Sequence, residues 1–378
     1  MQSLIPPTPD GLRRVVGCMS GTSLDGLDIA KVEITGQGHQ LEVVSISHAH
    51  VDLGALGPRL TLARDGALSA GAFTSLAYDL GVLHAQTIAQ TWPDEPIDLV
   101  ACHGQTLYHA PPHSLQLINP WPIAHALRAA VVTDLRGHDL AAGGQGAPIT
   151  PLADRVLYRD HIGSEGLIIL NLGGFANLTI LPGEHPGTPQ GFDCCPCNHL
   201  LDAVAREHLG QPYDPGGETA MQGTPVREEA QALAKAISTL NAEGRSGGTG
   251  DEGVELVLSR NTALHRSDLL ATIVDAIAQA IAMSLQQTPA TTRMCLAGGG
   301  AHNAALRRAM KRFHQGEVVT SDQLGIPIEA REAAAMAILG ALAADGLPIT
   351  SAEITGHASE PLRAGLWTLP HPHMKDRH

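Results

Sequence analysis

MSGTSLDGLD, residues 19–28, is the stretch that decides the fold, because it sets a polar, glycine-bearing turn between two apolar runs. Residues 14–19 (RVVGCM) precede the turn and residues 27–34 (LDIAKVEI) follow it. Two β-branched runs joined by a short segment with glycine predict a β-hairpin. Residues 41–47 (LEVVSIS) predict a third strand.

A second hairpin of the same design lies further along the chain. GLIILNL (166–172) and LTIL (178–181) flank the turn GGFAN (173–177). Gly21 and Gly173 are 152 residues apart, about one domain length. This spacing predicts a duplicated α/β unit, with coincidence as the alternative because strand–glycine–strand is a common pattern.

Strands alternate with helices through the rest of the chain, which predicts α/β layers. MCLAGGGAHNAALRRAMKR (294–312) is typical of a strand, a glycine-rich turn and a helix. The stretch 241–253 (NAEGRSGGTGDEG) has no apolar periodicity and is expected to be a loop. Further helices are predicted at 70–92, 225–240, 267–286 and 329–344, and further strands at 98–102 and 316–320.

Composition excludes several classes of protein. The 378 residues carry 24 Lys and Arg against 38 Asp and Glu, for a net charge of -14, and only 3% are aromatic. These values argue against nucleic acid as a partner. Six cysteines are too few for a disulfide scaffold. No apolar run is long enough for a bilayer span, and the N-terminus does not read as a signal peptide, so we expect a cytoplasmic protein of about two domains with no membrane partner.

The first turn is a candidate phosphate-binding loop. The chain has neither a G-x-x-x-x-G-K-[ST] motif nor a G-x-G-x-x-G at its first strand. A tight turn can nevertheless direct successive backbone N–H groups at phosphate oxygens. Thr22 and Ser23 would add hydroxyl donors, and Asp25 and Asp28 could hold Mg²⁺ directly or through water. The alternative is an ordinary turn whose polar side chains bond their own backbone.

Two later glycine clusters could serve the same ligand. Gly173 and Gly174 could contact the phosphates from the opposite side, although they too could form a plain turn. Gly298, Gly299 and Gly300 end a strand and are predicted to open a helix. Bare backbone at that position allows a flat ring or a phosphate to approach closely.

Asp193, in GFDCCPCNHLLDA (191–203), is the candidate general base. It precedes a proline turn and a helix predicted to begin near Asn198, and a carboxylate at such a junction suits proton transfer. An N-capping role is the alternative. The cysteines at 194, 195 and 197 suggest zinc only weakly, since no second pair accompanies them, and are expected to fill small buried space. No G-x-S-x-G elbow supports a serine hydrolase.

Polar residues near two other strands complete the candidates. His103 and Gln105 are predicted to lie just after a strand, where α/β sheets gather ligands, although a buried structural histidine is equally compatible. Asp134 and Arg136 lead into the polar loop AAGGQGAP, residues 141–148. Glu332 begins an alanine-rich helix, where it could instead serve only the helix dipole.

Taken together, MSGTSLDGLD, HGQT, AAGGQGAP, NLGGFAN, GFDC-x-P-x-N and AGGGAHN resemble, in order and spacing, the anhydro-N-acetylmuramic acid kinases. The resemblance runs from about residue 14 to 368. It implies a two-domain, actin-like α/β fold with an interdomain cleft for ATP and Mg²⁺. The implied domains are residues 1–130 and 131–350, with residues 350–378 packing on the first. It also implies a homodimer.

The family's reaction assigns a role to each motif. Such kinases phosphorylate O6 of 1,6-anhydro-N-acetylmuramic acid while water opens the anhydro bridge, giving N-acetylmuramic acid 6-phosphate in cell-wall recycling. Asp193 matches the base that activates the water. The resemblance implies nucleotide contacts from Gly21, Thr22, Ser23, Leu24, Asp25, Gly26, Leu27, Asp28, Asn171, Gly173, Gly174, Gly298, Gly299, Gly300 and Asn303. It implies sugar contacts from His103, Gln105, Asp134, Arg136, Gln145 and Glu332.

This chain departs from the family pattern near the sugar positions. Cys195 and Cys197 replace glycines, and would be strained if those glycines have positive φ. Gly137, His138 and Tyr108 stand where the family has basic residues, and RSGGTGDEG replaces a basic segment. Two alternatives therefore stay open: a kinase for another anhydrosugar such as levoglucosan, and a catalytically impaired ATP-binding sensor.

Overall fold

The computed structural model describes residues 3–21, 24, 26–183, 187–242, 253–259, 264–286, 288, 292–359 and 362–370. The chain divides into two compact units. Unit 1 runs up to Leu157 and resumes from Glu329 onward, and unit 2 is Tyr158–Ile328. Residues 243–252, which make up most of the expected loop at 241–253 and all of RSGGTGDEG except Gly253, lie outside the described residues.

The strands and helices are numbered along the chain. The strands are β1 (Arg13–Ser20), β2 (Gly26–Thr35), β3 (Glu42–Asp52), β4 (Leu99–Ala110), β5 (His113–Leu117), β6 (Ala130–Thr133), β7 (Leu167–Leu172), β8 (Phe175–Leu181), β9 (Gln190–Pro196), β10 (Arg293–Ala297), β11 (Val318–Thr320) and β12 (Leu366–Thr368). The helices are α1 (Leu56–Arg64), α2 (Ala70–Thr91), α3 (Trp121–Leu127), α4 (Gly137–Ala141), α5 (Pro151–Leu157), α6 (Asn198–Leu209), α7 (Glu218–Gln222), α8 (Arg227–Ala242), α9 (Val254–Leu258), α10 (Arg266–Ser284), α11 (Ala304–Phe313), α12 (Arg331–Ala344) and α13 (Ala352–Thr355).

The two units contain sheets of the same design. In unit 1 the strand order is β12-β6-β4-β1-β2-β3, with β5 paired to β4, and in unit 2 it is β11-β10-β7-β8-β9. The first strand of each unit, β1 or β7, is antiparallel to the next strand and parallel to β4 or β10. This repeated order confirms the duplicated α/β architecture predicted from the two hairpins.

Helix α12 covers the sheet of unit 1 because its alanines permit close contact. A Cβ placed on Gly17 of β1 would lie 1.8 Å from the carbonyl oxygen of Ala333. Two buried ion pairs hold the ends of this helix. Arg331 pairs with Asp154 of α5, and Arg13 pairs with Asp345 just after α12. Buried charges of this kind require their partners.

The two compact units differ from the domains implied by the resemblance. Residues 131–157 and 329–350 lie in unit 1 rather than in the second domain. The physical reason is that β6 pairs with β4, while α12 packs on β1. The C-terminal strand β12 pairs with β6 in unit 1. Asp139 of α4 accepts hydrogen bonds from Thr350 and Thr355 at 3.0 and 2.6 Å, which joins that segment to the same unit.

Unit 2 is built around helix α10. This helix is long and apolar enough to cross a membrane by length and composition, but 72% of its apolar window is buried inside the protein. Its side chains pack with those of α6, α8, α11 and the sheet in one hydrophobic cluster. Burial of that extent is typical of a core helix.

Candidate functional site

A side chain of strand β4 holds the β1–β2 turn of unit 1. Gln105 Nε2 donates a hydrogen bond of 3.0 Å to the carbonyl oxygen of Gly21. Leu24 has a left-handed φ of 58°. Leu27 is fully buried in the core, so a role at a ligand is limited to its backbone. Three predicted residues of this turn lie outside the described part of the chain, namely Thr22, Ser23 and Asp25.

Asp28 is held by a histidine from the neighbouring strand. It lies on β2 opposite His50 of β3, and His50 Nδ1 is 2.7 Å from Asp28 Oδ1. The same imidazole covers Gly26, where an added Cβ would lie 2.1 Å from the ring carbon Cε1. Glycine at position 26 therefore leaves room for the histidine that orients the carboxylate.

His103 and Gln105 lie within strand β4, not after a strand as predicted. The sheet strand continues as far as Ala110 because its second half pairs with β5 in a hairpin. Both side chains are buried. Gln105 Oε1 has no hydrogen-bond partner among the described residues. A buried acceptor without a partner is costly, so a donor from a ligand would suit it.

Arg136 binds His103 in unit 1. Its Nε and Nη2 donate to His103 Nε2 at 3.1 and 2.9 Å, and its Nη1 donates to the Gly146 carbonyl oxygen at 2.6 Å. His103 Nδ1 donates to the carbonyl oxygen of Gly104 at 2.8 Å. Burial, with the charge of Arg136 added, lowers the pKa of His103 to about 3. The imidazole is therefore neutral near pH 7.

Asp134 adopts a strained backbone conformation next to this pair. Its φ is 51°, which is uncommon for a residue other than glycine and often marks a functional position. Its Oδ1 accepts the backbone N–H of Gly137 at 3.0 Å. A Cβ on Gly137 would lie 2.4 Å from Asp134 Oδ2. A basic side chain at position 137 is thus incompatible with this position of the Asp134 carboxylate.

Gln145 and Glu332, the other two residues assigned to the sugar, both belong to unit 1. Gln145 is exposed and immediately precedes Gly146, whose carbonyl oxygen binds Arg136. Its backbone N–H donates to the carbonyl oxygen of Thr355 at 2.9 Å. Glu332 is half-buried in the first turn of α12. Arg136 thus bonds both His103 and the carbonyl oxygen of Gly146, the residue that follows Gln145.

In unit 2, the β7–β8 turn packs on the start of helix α6. The carbonyl oxygens of Gly173 and Gly174 accept the backbone N–H groups of Asn198 and Cys197, at 3.0 and 2.7 Å. An added Cβ at position 174 would lie 2.2 Å from His199 Nε2, so any larger residue there would have to displace this imidazole. The turn is therefore a rigid element rather than a free loop.

The Gly298–Gly300 turn meets the same hairpin. Gly298 has a φ of 73°, and a Cβ there would lie 2.5 Å from Asn171 Oδ1. A Cβ on Gly300 would lie 2.7 Å from that of Leu172. A Cβ on Gly299 would meet nothing within 4 Å, so this residue faces open space. The turn presents bare backbone on one side and packs against β7 on the other.

The sequence predicts that this turn opens an α-helix, but the structure shows that it does not do so directly. It enters a 3₁₀-helix at Gly299–His302, and α11 begins only at Ala304. Asn303 is the N-cap of α11, and its side chain accepts the backbone N–H of Leu306 at 3.1 Å. The capping requirement of α11 explains the interruption, because Asn303 itself has an extended backbone.

Asp193 lies on β9, half-buried, opposite Asn177 of β8. The ladder has an irregularity beside this pair, between Ala176 and Asn177. Helix α6 begins at Asn198, as predicted. Its N-cap is Cys197, so Asp193 does not cap the helix.

The cysteines after Asp193 are buried core residues, and none of them has a positive φ. Cys197 has a φ of −129°, and Cys195 is not among the described residues with positive φ. The condition for that strain, a positive φ, is therefore not met at either position. None of the six cysteines forms a disulfide and all are buried, so Cys194, Cys195 and Cys197 occupy interior space, as predicted. Burial raises the pKa of the Cys194 thiol to about 12 and that of Cys195 further.

Sequence reasoning missed several residues that shape these sites. His50 orients Asp28, His199 covers Gly174, and Asn198 Nδ2 donates to the Leu172 carbonyl oxygen at 3.1 Å. The asparagine stood inside the motif GFDC-x-P-x-N and could have been selected from it. The two histidines carry no local signal, because only strand pairing and packing bring them to their glycines.

Comparisons with known proteins show the family of this chain. The profile of the anhydro-N-acetylmuramic acid kinase family matches residues 13–367. A relative of that name from Salinibacter ruber is 33% identical over 95% of this chain and 97% of its own. Another from Methylorubrum populi is 32% identical over 95% and 100%. A 2-hydroxyisocaproyl-CoA dehydratase activator from Clostridium difficile, with bound ADPNP, is 14% identical over 88% of this chain and 96% of that one, with a TM-score of 0.44, too low for a conclusion. The chain belongs to the anhydro-N-acetylmuramic acid kinase family.

Proposed function

We propose that this chain is an ATP-dependent kinase that hydrolyses the 1,6-anhydro ring of 1,6-anhydro-N-acetylmuramic acid and phosphorylates O6. The products are N-acetylmuramic acid 6-phosphate and ADP, in cell-wall recycling. Family membership over nearly the whole chain supports the assignment. The observation that carries it is the meeting, in unit 2, of the β7–β8 turn, the Gly298–Gly300 turn and the start of α6.

The glycine turns fit a nucleotide. At Gly298 and Gly300 no side chain can be added, while Gly299 faces open space, so a ligand would meet backbone alone. Gly173 and Gly174 belong to the rigid turn beside them. We assign the Gly298–Gly300 turn to the adenosine and the two hairpin turns to the phosphates. Bound Mg²⁺ would neutralise phosphate charge, and Asp28, oriented by His50, would hold it through water.

Asp193 would act as the general base. Opening an acetal with water requires a group that accepts the proton of the attacking water, and a positioned carboxylate is suited to that task. Asp193 does not cap α6, whose N-cap is Cys197, and it sits beside an irregularity in the β8–β9 ladder. These features support a catalytic rather than a capping role.

On the sugar side, we assign recognition to the group around Arg136. A neutral His103 accepts two hydrogen bonds from Arg136 and keeps the guanidinium in place. Gln105 offers a buried carbonyl oxygen to a hydroxyl group. Asp134, Gln145 and Glu332 complete the proposed set. A fixed cation beside hydrogen-bonding groups suits a sugar that carries a carboxylate, as the lactyl group of muramic acid does.

One observation favours a second candidate, a kinase for a neutral anhydrosugar such as levoglucosan. The position of the Asp134 carboxylate leaves no room for a side chain at Gly137, where the family pattern has a basic residue. Tyr108, at another such position, is exposed. The sugar side of this chain therefore carries fewer cations than the pattern of the family.

A coupled assay of ADP formation with a panel of anhydrosugars separates the two candidates. We expect turnover of 1,6-anhydro-N-acetylmuramic acid to exceed that of levoglucosan, and the reverse would establish the second candidate. Asp193→Asn should retain ATP binding and lose about 10²–10⁴-fold in turnover. Near-normal turnover in that variant would refute the role of the base.

We also propose that the protein acts as a cytoplasmic homodimer, as the resemblance implies. Light scattering coupled to size-exclusion chromatography measures the mass directly. A mass of one chain at assay concentrations would contradict the dimer.

A further inference from the structure

Three ligand-type side chains meet in the interior of unit 1. Cys18 lies on β1, Cys102 on β4 and His84 on α2, and their ligating atoms all lie within 4.8 Å of one another. Parallel pairing of β1 with β4 puts the two cysteines side by side. All three residues are almost completely buried, at 0%, 0% and 1% exposure. No role in the proposed reaction uses them.

One nitrogen of His84 has no partner within the described part of the chain. Its Nδ1 lies 2.7 Å from the Leu80 carbonyl oxygen and donates to it, which leaves the Nε2 lone pair available. Nε2 is buried and makes no hydrogen bond to a described residue. A ring N–H fixed by a backbone carbonyl is the arrangement in which histidine commonly ligates a metal.

Charge selects the ion that this cluster would hold. Burial raises the pKa of the Cys18 thiol, so this thiol is protonated without an ion, while burial lowers the pKa of His84 to about 4 and keeps it neutral. Soft sulfur and imidazole ligands exclude Mg²⁺ and Ca²⁺ and select Zn²⁺ or Cu(I). Two thiolates and a neutral imidazole cancel the charge of Zn²⁺ but not that of Cu(I), and an electroneutral site suits a dry interior.

We propose that Cys18, His84 and Cys102 form a Zn²⁺ site in unit 1, separate from the nucleotide and sugar residues. The protein supplies three ligands and leaves a fourth coordination position. Binding converts two thiols to thiolates, so each Zn²⁺ bound releases two protons. The ion would join β1, β4 and α2. Cys18 stands three residues before Gly21, and Cys102 directly precedes His103. Bound Zn²⁺ would therefore stiffen the strands that lead to Gly21 and His103.

The test uses full-length protein, treated with a chelator under a thiol-free reductant. Zn²⁺ or Co²⁺ is then added alone. We expect one ion per chain, two protons released per Zn²⁺, a higher Tm, and thiolate-to-Co²⁺ charge-transfer absorption. Cys18→Ala and Cys102→Ala should each weaken Zn²⁺ binding by more than about 100-fold. That is the largest loss expected when a residue that only hydrogen-bonds to a metal ligand is removed, and removing a ligand itself should cost more.

Cys295→Ala is the matched control. Cys295 is equally buried, on β10, which pairs with β7 as β4 pairs with β1. The Zn²⁺ affinity and the Co²⁺ spectrum of the Cys295→Ala variant should equal those of the unchanged protein. No charge-transfer band in the unchanged protein would overturn the proposal, a measurement that holds even if a variant fails to fold. Loss of the band in Cys295→Ala but not in Cys102→Ala, or binding of Cu(I) without Zn²⁺, would overturn it as well.

Discussion

Arg136 helps to keep the buried imidazole of His103 neutral. The guanidinium directs both Nε and Nη2 at the single acceptor Nε2 of the buried imidazole, at 3.1 and 2.9 Å. A protonated ring would lose that acceptor and place two cations in contact. The low pKa of His103, about 3, is the consequence, with burial as the larger cause. Arg136 thus retains its charge and its orientation over the whole physiological pH range.

Replacing the acceptor should weaken sugar recognition specifically. His103→Ala leaves two donors of Arg136 without a partner, and a hydrogen bond to a charged group contributes about 1.5–3 kcal/mol. We expect kcat/KM for the sugar to fall about 10–100-fold while KM for ATP stays unchanged. His103→Asn, which can accept one bond, should recover part of the loss. Steady-state kinetics with each substrate varied in turn measures both values. An equal rise of KM for ATP would contradict the assignment.

The stability of the fold should fall as the solution is acidified. Burial lowers the pKa of His84 to about 4 and, together with the charge of Arg136, that of His103 to about 3, below the ordinary value of 6.5. The unfolded chain therefore binds more protons than the folded chain below pH 6.5. The stabilisation is complete above that pH and is lost as the pH falls toward 4.

Denaturant unfolding at a series of pH values, with a chelator present, measures this effect. Each of the two histidines should contribute a slope of about 1.4 kcal/mol per pH unit between pH 6 and 4. His84→Leu should remove one such contribution from the slope. A slope that His84→Leu leaves unchanged would show that this ring does not become protonated on unfolding.

Substitution of Gly298 should lower the stability of the fold, whereas substitution of its neighbour Gly299 should affect only ligand binding. Gly298→Ala places a Cβ against Asn171 at a φ of 73°, and should cost about 2 kcal/mol or more of unfolding free energy. Gly299→Ala places its Cβ in open space and should unfold like the original protein. If the turn receives the adenosine, Gly299→Ala should still weaken ATP binding about tenfold. Calorimetric titration and thermal unfolding provide the two readouts. Unchanged ATP affinity in Gly299→Ala would remove the turn from the nucleotide site.

Replacing Cys195 and Cys197 by the glycines of the family pattern should raise neither the stability nor the turnover of the protein. Cys197 has a negative φ of −129° and is fully buried, as is Cys195. Cys195→Gly and Cys197→Gly should therefore each destabilise unit 2 by about 1–2 kcal/mol, through lost packing and added chain entropy. Turnover should not rise in either variant. A gain in turnover without loss of stability would instead support the catalytically impaired alternative.

Local patterns sufficed where neighbouring residues determine structure. The β1–β2 and β7–β8 hairpins, the start of α6 at Asn198 and the α/β alternation follow from apolar runs interrupted by glycine and proline. The extension of β4 to Ala110 was not predicted, because it depends on pairing with β5. The placement of residues 329–350 in unit 1 escaped prediction for the same reason: close packing of α12 on Gly17 is a distant contact.

The candidate sites divide along the same line. The sequence by itself determined which turns are glycine-rich and which carboxylates accompany them, because those features lie within a few residues of one another. Only the tertiary structure decided that His50 holds Asp28, that Asp134 excludes a side chain at Gly137, and that Cys18, His84 and Cys102 share one interior position. The physical reason is that strand pairing and helix packing join residues far apart in the chain, and no local pattern records those contacts.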